Sequence, residues 1–224
     1  LFRGMLSSRD LALYLSSMTN DDIHLAGLLQ ERLMDGNEKP VSKLWDFSAW
    51  SRSALGAGGD FWICKRIDAD RVFFSLCDVS GKGVSASLVV SMAWGMMRAH
   101  PINAGLKNFL LELNDAIIQS FHLGKYLTGF FAILNERAMS LELSDMGHAH
   151  ARLFRNGKAH KLCQSRANIP VGIDRDPNPS VGKLLLDRGD NLFVYSDGFV
   201  EQENDRGQEW GERGLSRALL CAMQ

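Results

Sequence analysis

Three aspartates in this chain each stand beside a glycine or another small residue at one end of an apolar, strand-like run. Asp60 lies in the segment GGDFW, Asp78 in CDVSGKG and Asp197 in YSDG. An isolated Asp-Gly pair usually marks a turn, but carboxylates at the ends of several strands can meet at one edge of a sheet. Such a concentration of negative charge is stable only if a cation neutralises it. Because all-oxygen sites select hard divalent ions, the sequence predicts a carboxylate-bound Mg²⁺ or Mn²⁺ centre.

The first two aspartates belong to one predicted β-hairpin. Residues 60–67 and 71–78 are apolar runs separated by a polar turn at 68–71. In an antiparallel hairpin the start of one strand lies beside the end of the other. Pairing about the midpoint of the turn therefore brings Asp60 and Asp78 together.

The remaining pattern predicts a mixed α+β fold. Two helices are expected after the second aspartate, and hairpin turns such as Asn156-Gly157 separate the later strands. Strands surround a single helical pair, so the sheets should be mostly antiparallel, as a β-sandwich flanked by helices. The predicted strands are 44–52, 60–67, 71–78, 127–134, 138–145, 149–155, 158–163, 183–187 and 191–196, and the predicted helices are 84–100, 106–121 and 211–222.

Residues 9–35 predict a helix, or two helices with a joint near the capping sequence at 19–22. One face carries Ile23, Ala26, Leu33 and either Leu29 or Gln30. Two interpretations stay open: a helix packed on its own domain, or a signalling and dimerisation helix. Because the first residue is leucine, we expect the chain to be a fragment of a longer protein.

Composition narrows the class of protein. With 224 residues and a formal net charge of −1, the chain has the size of a globular domain and lacks the positive charge needed for non-specific nucleic-acid or membrane binding. No apolar run is long enough to span a bilayer and no signal peptide is visible, so a cytoplasmic location is expected. The four cysteines are expected to be reduced, with a disulfide between Cys64 and Cys77 as the alternative.

Other motifs give weaker signals. The Gly81-Lys82-Gly83 loop has the spacing of neither a Walker A loop nor a dinucleotide-binding loop. Two interpretations of Lys82 stay open: its side chain contacts a phosphate, or it lies in solvent. His148 and His150 have a spacing that suits zinc, but no further ligand is placed to complete a tetrahedral site. A structural turn at Gly147 is the favoured interpretation of the histidine pair.

Together, the segments at 58–62, 78–83, 170–173 and 195–201 resemble, in order, the metal-dependent serine/threonine phosphatases of the protein phosphatase 2C (PP2C) superfamily, and above all the bacterial SpoIIE/RsbU-like subgroup. The resemblance spans about residues 22–222. It implies a four-layer α-β-β-α sandwich. It also divides the chain into a regulatory or linker helix at 1–36, which matches at 28–34, and a phosphatase domain at 37–224.

The resemblance further implies the chemistry of the site. Asp78 would bridge two Mn²⁺ or Mg²⁺ ions, the Val79 carbonyl and Asp197 would each bind one, and Asp60 would contact a metal or its water. A metal-activated water would then hydrolyse phosphoserine or phosphothreonine on a protein. In this subgroup the substrate is often an anti-sigma-factor antagonist of the STAS type, and a sensor or receiver domain acts upstream.

The chain departs from the family pattern at several positions. Ile63 replaces a second acid of many relatives, Ser80 stands where eukaryotic relatives carry histidine, and the further Asp expected on a late strand is not found before Gln224. The last departure leaves an alternative function open, a catalytically degenerate phosphatase fold that binds a protein partner. A third hypothesis is a homodimer formed through the N-terminal helix.

Overall fold

The computed structural model describes residues 21–22, 24–33, 42, 44–51, 58–121, 124–162 and 168–222. Within them, residues 21–22 are helical and helix α1 occupies 24–33. The other helices are α2 (Val84–Ala99), α3 (Leu106–Ser120), α4 (Asp197–Val200) and α5 (Gly211–Ala222). The strands are β1 (Asp60–Arg66), β2 (Arg71–Val79), β3 (Leu127–Asn135), β4 (Ser140–Met146), β5 (Ala151–Arg155), β6 (Lys158–Lys161), β7 (Gly182–Leu185) and β8 (Asn191–Val194).

The strands form two sheets. The larger sheet has five strands in the order β1-β2-β3-β4-β7, and the smaller has three in the order β6-β5-β8. Every pair of neighbouring named strands is antiparallel. The expectation of mostly antiparallel sheets is therefore confirmed.

Strand β3 shows why the larger sheet lies in the middle of the molecule. Its residues alternate between two hydrophobic cores: Phe131 and Ile133 belong to the core with helices α2 and α3, while Phe130, Ala132 and Leu134 belong to the core shared with the smaller sheet. Successive side chains of a strand point to opposite faces. The nearly continuous apolar run of β3 is thus what a strand buried on both faces requires.

Helix α5 supplies the outermost layer. Its buried Leu215 packs with Tyr195 and Val200 in a third small cluster, next to the smaller sheet. The layers are therefore α2 and α3, the five-stranded sheet, the three-stranded sheet, and α5. The predicted α-β-β-α arrangement is confirmed.

One detail of the predicted secondary structure is wrong. Residues 44–51 form no strand; the Ser42 hydroxyl accepts hydrogen bonds from the backbone N–H groups of Leu44 and Trp45 and turns the chain there. Residues 197–200, to which the sequence assigned no element, form the short helix α4. Most of the predicted N-terminal helix, including residues 9–20, lies outside the described residues.

The cysteines follow the favoured expectation where the structure describes them. Cys64, Cys77 and Cys221 are free thiols. Cys64 and Cys77 belong to different cores, on opposite faces of the larger sheet, so the alternative disulfide between them is wrong. Cys163 lies outside the described residues.

A search of the described helices finds none with the length and apolar character that a membrane crossing requires.

Candidate metal centre

The β1–β2 hairpin brings two of the three predicted acids together. Asp60 and Asp78 are direct cross-strand partners at the open end of the hairpin. The backbone N–H of Val79 donates to the Gly59 carbonyl at 3.1 Å, which extends the pairing by one step past Asp60. The predicted proximity of Asp60 and Asp78 is confirmed, with the pairing centred on Ala69.

Gly59 leaves space that any side chain would fill. A Cβ atom placed on Gly59 would lie 2.6 Å from the Val79 carbonyl oxygen and 2.7 Å from Asp78 Oδ1. Both of these atoms are hard oxygen donors, and they converge on one small volume next to Asp60. A carbonyl and carboxylates are the ligands that Mg²⁺ and Mn²⁺ prefer. The residues present therefore fit a divalent cation.

The third acid arrives from the other sheet. Asp197 follows the end of β8 and is the first residue of α4, where its Oδ1 accepts a hydrogen bond from the Gly198 N–H at 2.7 Å. Asp60, Asp78, Val79 and Asp197 all line one cavity. The structure thus pairs Asp60 with Asp78 across the hairpin and places Asp197 on the same large cavity.

The electrostatics of the site reflect this crowding of negative charge. Burial, together with the neighbouring carboxylates of Asp60 and Asp197, raises the pKa of Asp78 to about 7. Burial likewise raises the pKa of Asp60, although hydrogen bonding by Ser196 opposes the change, and Asp197 adds to it. Like charges held close together disfavour ionisation unless a cation compensates them.

The side chains are not already arranged around an ion. Within the described parts of the chain, no set of at least three His, Cys, Asp or Glu side chains has the arrangement of a metal site. The carboxylates share a cavity without converging on one point.

The loop after Asp78 is held by hydrogen bonds to the start of β3. The Ser80 N–H donates to the Tyr126 carbonyl at 2.9 Å, and the Tyr126 N–H donates to Ser80 Oγ at 3.1 Å. Lys125 Nζ adds a hydrogen bond to the Ser80 carbonyl at 3.1 Å. This loop therefore has a defined position, and exposed Lys82 lines the same cavity.

Neither histidine lines the cavity, and His148 has structural partners. His148 Nε2 and the Tyr195 carbonyl oxygen are 2.9 Å apart, and the His148 N–H donates to Asp145 Oδ1 at 2.7 Å. Gly147 has φ 80°, as a tight turn requires. The structure therefore agrees with the interpretation of the pair as part of a turn.

One contact of the site was not predicted. Gln30 of α1 is only 4% exposed and its side-chain amide is hydrogen-bonded to the backbone of Gly58. The apolar spacing of α1 could have indicated this contact, but it did not decide whether Leu29 or Gln30 faces the domain. Leu29 is in fact 59% exposed.

Solved structures share this architecture. The SiaA-PP2C domain of Pseudomonas aeruginosa superposes with a TM-score of 0.74 at 20% identity, covering 92% of this chain and 83% of that one. The SpoIIE phosphatase domain with a regulatory fragment, from Bacillus subtilis, gives a TM-score of 0.54 at 19% identity, covering 73% and 52%. The fold is that of a PP2C-type phosphatase domain.

Sequence comparison identifies the family. The family described as Stage II sporulation protein E (SpoIIE) matches residues 68–224, and the chain belongs to it. Phosphoserine phosphatase RsbU of Bacillus subtilis is 24% identical over 188 residues, which are 83% of this chain and 55% of RsbU. Protein IcfG of a Synechocystis strain is 20% identical, over 90% of this chain and 37% of IcfG. The chain thus spans about half or less of the length of these curated relatives.

Proposed function

We propose that this chain is a metal-dependent phosphatase that hydrolyses phosphoserine or phosphothreonine on a protein. One observation carries the proposal: three carboxylates, two from the larger sheet and one from the start of α4, line one cavity in a chain of the SpoIIE family. The name of the relative RsbU, a phosphoserine phosphatase, supports the activity. A structure of RsbX in complex with magnesium, which shares the fold at a TM-score of 0.54 and 12% identity, supports the use of a divalent cation.

Each of the four residues of the predicted site has a proposed role. Asp78 would bridge two ions, Asp197 and the Val79 carbonyl would each hold one, and Asp60 would complete the set. Bound Mn²⁺ or Mg²⁺ supplies the Lewis acidity that activates water and neutralises phosphoryl oxygens. The protein's own contribution is positional: the hairpin fixes Asp60 beside Asp78, and Gly59 leaves the cavity open to both donors.

The proposal extends to the substrate protein, the upstream domain and the cellular location. We infer that the substrate is a phosphorylated bacterial signalling protein, with a STAS-type anti-sigma-factor antagonist as the leading candidate. A sensor or receiver domain would act through the helix at residues 1–36, and the reaction would take place in the cytoplasm. The family resemblance of the sequence motifs supports these assignments.

The test is hydrolysis of a phosphoserine peptide by the full chain, with Mn²⁺ titrated against an EDTA control. Asp78→Asn should abolish metal-dependent release of phosphate, because it removes the charge shared by both ions, while circular dichroism remains unchanged. Asp115→Asn, an exposed change on α3, serves as the matched control and should retain wild-type activity. A fully active Asp78→Asn variant would contradict the proposal.

A binding module without turnover is the second candidate. It is favoured by the absence, within the described residues, of side chains already arranged around a metal. This alternative predicts no saturable Mn²⁺ binding at micromolar concentration. Isothermal titration calorimetry on the wild-type chain therefore separates it from the enzyme.

A further inference from the structure

We propose that Glu212 of helix α5 is a positioning residue for the segment that carries Asp197. The inference rests on the proposed function, since it concerns the same metal centre. Glu212 does not line the cavity itself. It acts through the residues that it holds at the end of β8.

Glu212 accepts hydrogen bonds from two residues, Arg152 of β5 and Tyr195 just after β8, and lies near a third, His150. The Tyr195 hydroxyl donates to Glu212 Oε2 at 2.7 Å, and Arg152 Nη2 donates to the same oxygen. His150 Nδ1 lies 3.4 Å from the other carboxylate oxygen, Oε1. One side chain of α5 therefore ties strand β5 to the residue that follows β8.

Tyr195 is fixed at its backbone as well as at its hydroxyl. Its N–H donates to the His150 carbonyl at 3.1 Å, and its own carbonyl oxygen lies 2.9 Å from His148 Nε2. The ring is only 3% exposed and stacks on Phe193, with ring centroids 5.5 Å apart. The ring and the backbone of Tyr195 thus have partners within the same part of the chain, whereas its hydroxyl group depends on Glu212.

The next two residues along the chain belong to the metal centre. Ser196 lines the same cavity as Asp60, and Asp197 begins α4. The connection from α5 to the carboxylates thus runs from Glu212 to Tyr195 and then directly along the backbone. Helix α5 has one buried residue, Leu215, so few apolar contacts could replace the Glu212 connection.

The consequence concerns metal affinity. Groups that orient metal ligands from outside the coordination shell typically contribute about 10- to 100-fold to affinity or activity. Without the Glu212 contact, Asp197 would sample more positions and bind its ion less tightly. Saturating metal would restore most of the turnover, since the ligands themselves are intact.

The test compares wild type with Glu212→Gln and Tyr195→Phe in the full chain. Calorimetry should show that Glu212→Gln weakens Mn²⁺ binding roughly tenfold, and that Tyr195→Phe, which removes the hydroxyl of the same contact, has a comparable effect. The double variant should match Glu212→Gln, because both changes break one connection. In the phosphoserine-peptide assay the half-activating Mn²⁺ concentration should rise by the same factor while kcat at saturating metal changes little. Glu209→Gln, an exposed acid-to-amide change three residues away, should leave both values unaltered.

Hydrogen exchange on the metal-free protein gives a readout independent of metal. Amides of residues 195–198 should exchange faster in Glu212→Gln than in wild type or Glu209→Gln. If Glu212→Gln does not fold, Tyr195→Phe tests the same connection, since it deletes only one hydroxyl.

Two results would overturn the inference: unchanged exchange at 195–198, or Mn²⁺ affinity that stays at the wild-type value while thermal stability falls. Failure of the proposed function looks different, because the wild-type chain itself would then bind no Mn²⁺. In that case the exchange measurement alone decides whether Glu212 positions the segment.

Discussion

Gln30 and Gly58 form a two-point contact between helix α1 and the segment that leads into the metal centre. Gln30 Nε2 donates to the Gly58 carbonyl at 2.9 Å, and Oε1 accepts the Gly58 N–H at 3.1 Å. Gly58 precedes Gly59 and Asp60 directly, so α1 is attached where strand β1 begins. A side-chain amide can satisfy both backbone groups of one residue at once, which an apolar side chain at this position could not do.

Replacing Gln30 by alanine should therefore destabilise the protein. The change leaves two backbone groups of Gly58 without their partner and opens a small cavity, which together cost about 1–2 kcal/mol. Urea unfolding followed by circular dichroism measures this loss. Leu29→Ala on the exposed side of the same helix is the control and should change the free energy of unfolding by less than about 0.5 kcal/mol. If Gln30→Ala lowers the free energy of unfolding no more than Leu29→Ala does, the Gln30 contact contributes nothing to stability.

The pairing of Asp60 with Asp78 at the candidate site was predictable from sequence because local rules determine it. The polar turn fixed the hairpin register, and the register placed Asp60 opposite Asp78. The position of Asp197 on the same cavity was expected from a third strand that ends in a similar motif. By contrast, the Gln30 contact and the Glu212 connection depend on how distant elements pack. Neither has a local pattern: a glutamine in an amphipathic helix and a glutamate in the first turn of α5 both look like ordinary surface residues.

Strand prediction failed at 44–51 for a related reason. Alternating apolar residues such as Trp45 and Phe47 do pack against the core between the sheets, as the pattern indicates. A strand also needs a neighbour with which to hydrogen-bond, and the sequence does not reveal whether one is available. Burial was thus predictable for this segment, and its backbone conformation was not.

Gly59 provides a test of the close approach inside the centre. A Cβ there would lie 2.6 Å from the Val79 carbonyl oxygen, a backbone atom that cannot move without disturbing the hairpin. Gly59→Ala should destabilise the protein by about 1–3 kcal/mol and abolish Mn²⁺ binding measured by calorimetry. Gly95→Ala, in helix α2, is the matched control, because a Cβ at Gly95 meets no atom within 4 Å. Wild-type metal affinity in Gly59→Ala would mean that the space beside Asp78 is not used.

Asp78→Asn should stabilise the metal-free protein at alkaline pH. The folded state raises the pKa of Asp78 from 3.8 to about 7, so it binds more protons than the unfolded state between these values. Stability contributed by this group therefore falls as the pH rises from about 4 to 7. Asparagine carries no charge, and at pH 8 with EDTA the variant should be more stable by about 1 kcal/mol, a value reduced for partial solvent exposure.

Metal should reverse that order. Mn²⁺ binds the folded wild type and stabilises it by mass action, whereas Asp78→Asn lacks the central ligand. Thermal unfolding at pH 8, with EDTA and then with excess Mn²⁺, measures both states. A variant less stable than wild type in EDTA would indicate that Asp78 makes favourable contacts that outweigh the repulsion.

Asp190 should stabilise the smaller sheet in a pH-dependent manner. Its side chain is 1% exposed, and its carboxylate accepts hydrogen bonds from Arg155 Nε at 2.8 Å and from the Asp187 N–H at 2.8 Å. The hydrogen bond with Arg155 is the main cause that holds the pKa of Asp190 below its usual value of 3.8. The folded state therefore favours the ionised form, so its contribution is fully present above about pH 5 and is lost as the pH falls below 4.

Asp190→Asn should accordingly lower the free energy of unfolding by about 1–2 kcal/mol at pH 7, with the difference from wild type narrowing towards pH 3. The neighbouring Asp187 lies 3.2 Å from the same arginine but has a side chain that is 69% exposed. Asp187→Asn should consequently change stability by less than about 0.5 kcal/mol at either pH. Urea titrations of the three proteins at pH 7 and pH 3 measure these differences. A gap between wild type and Asp190→Asn that stays constant with pH would show that the charge of Asp190 does not contribute, and that only its packing does.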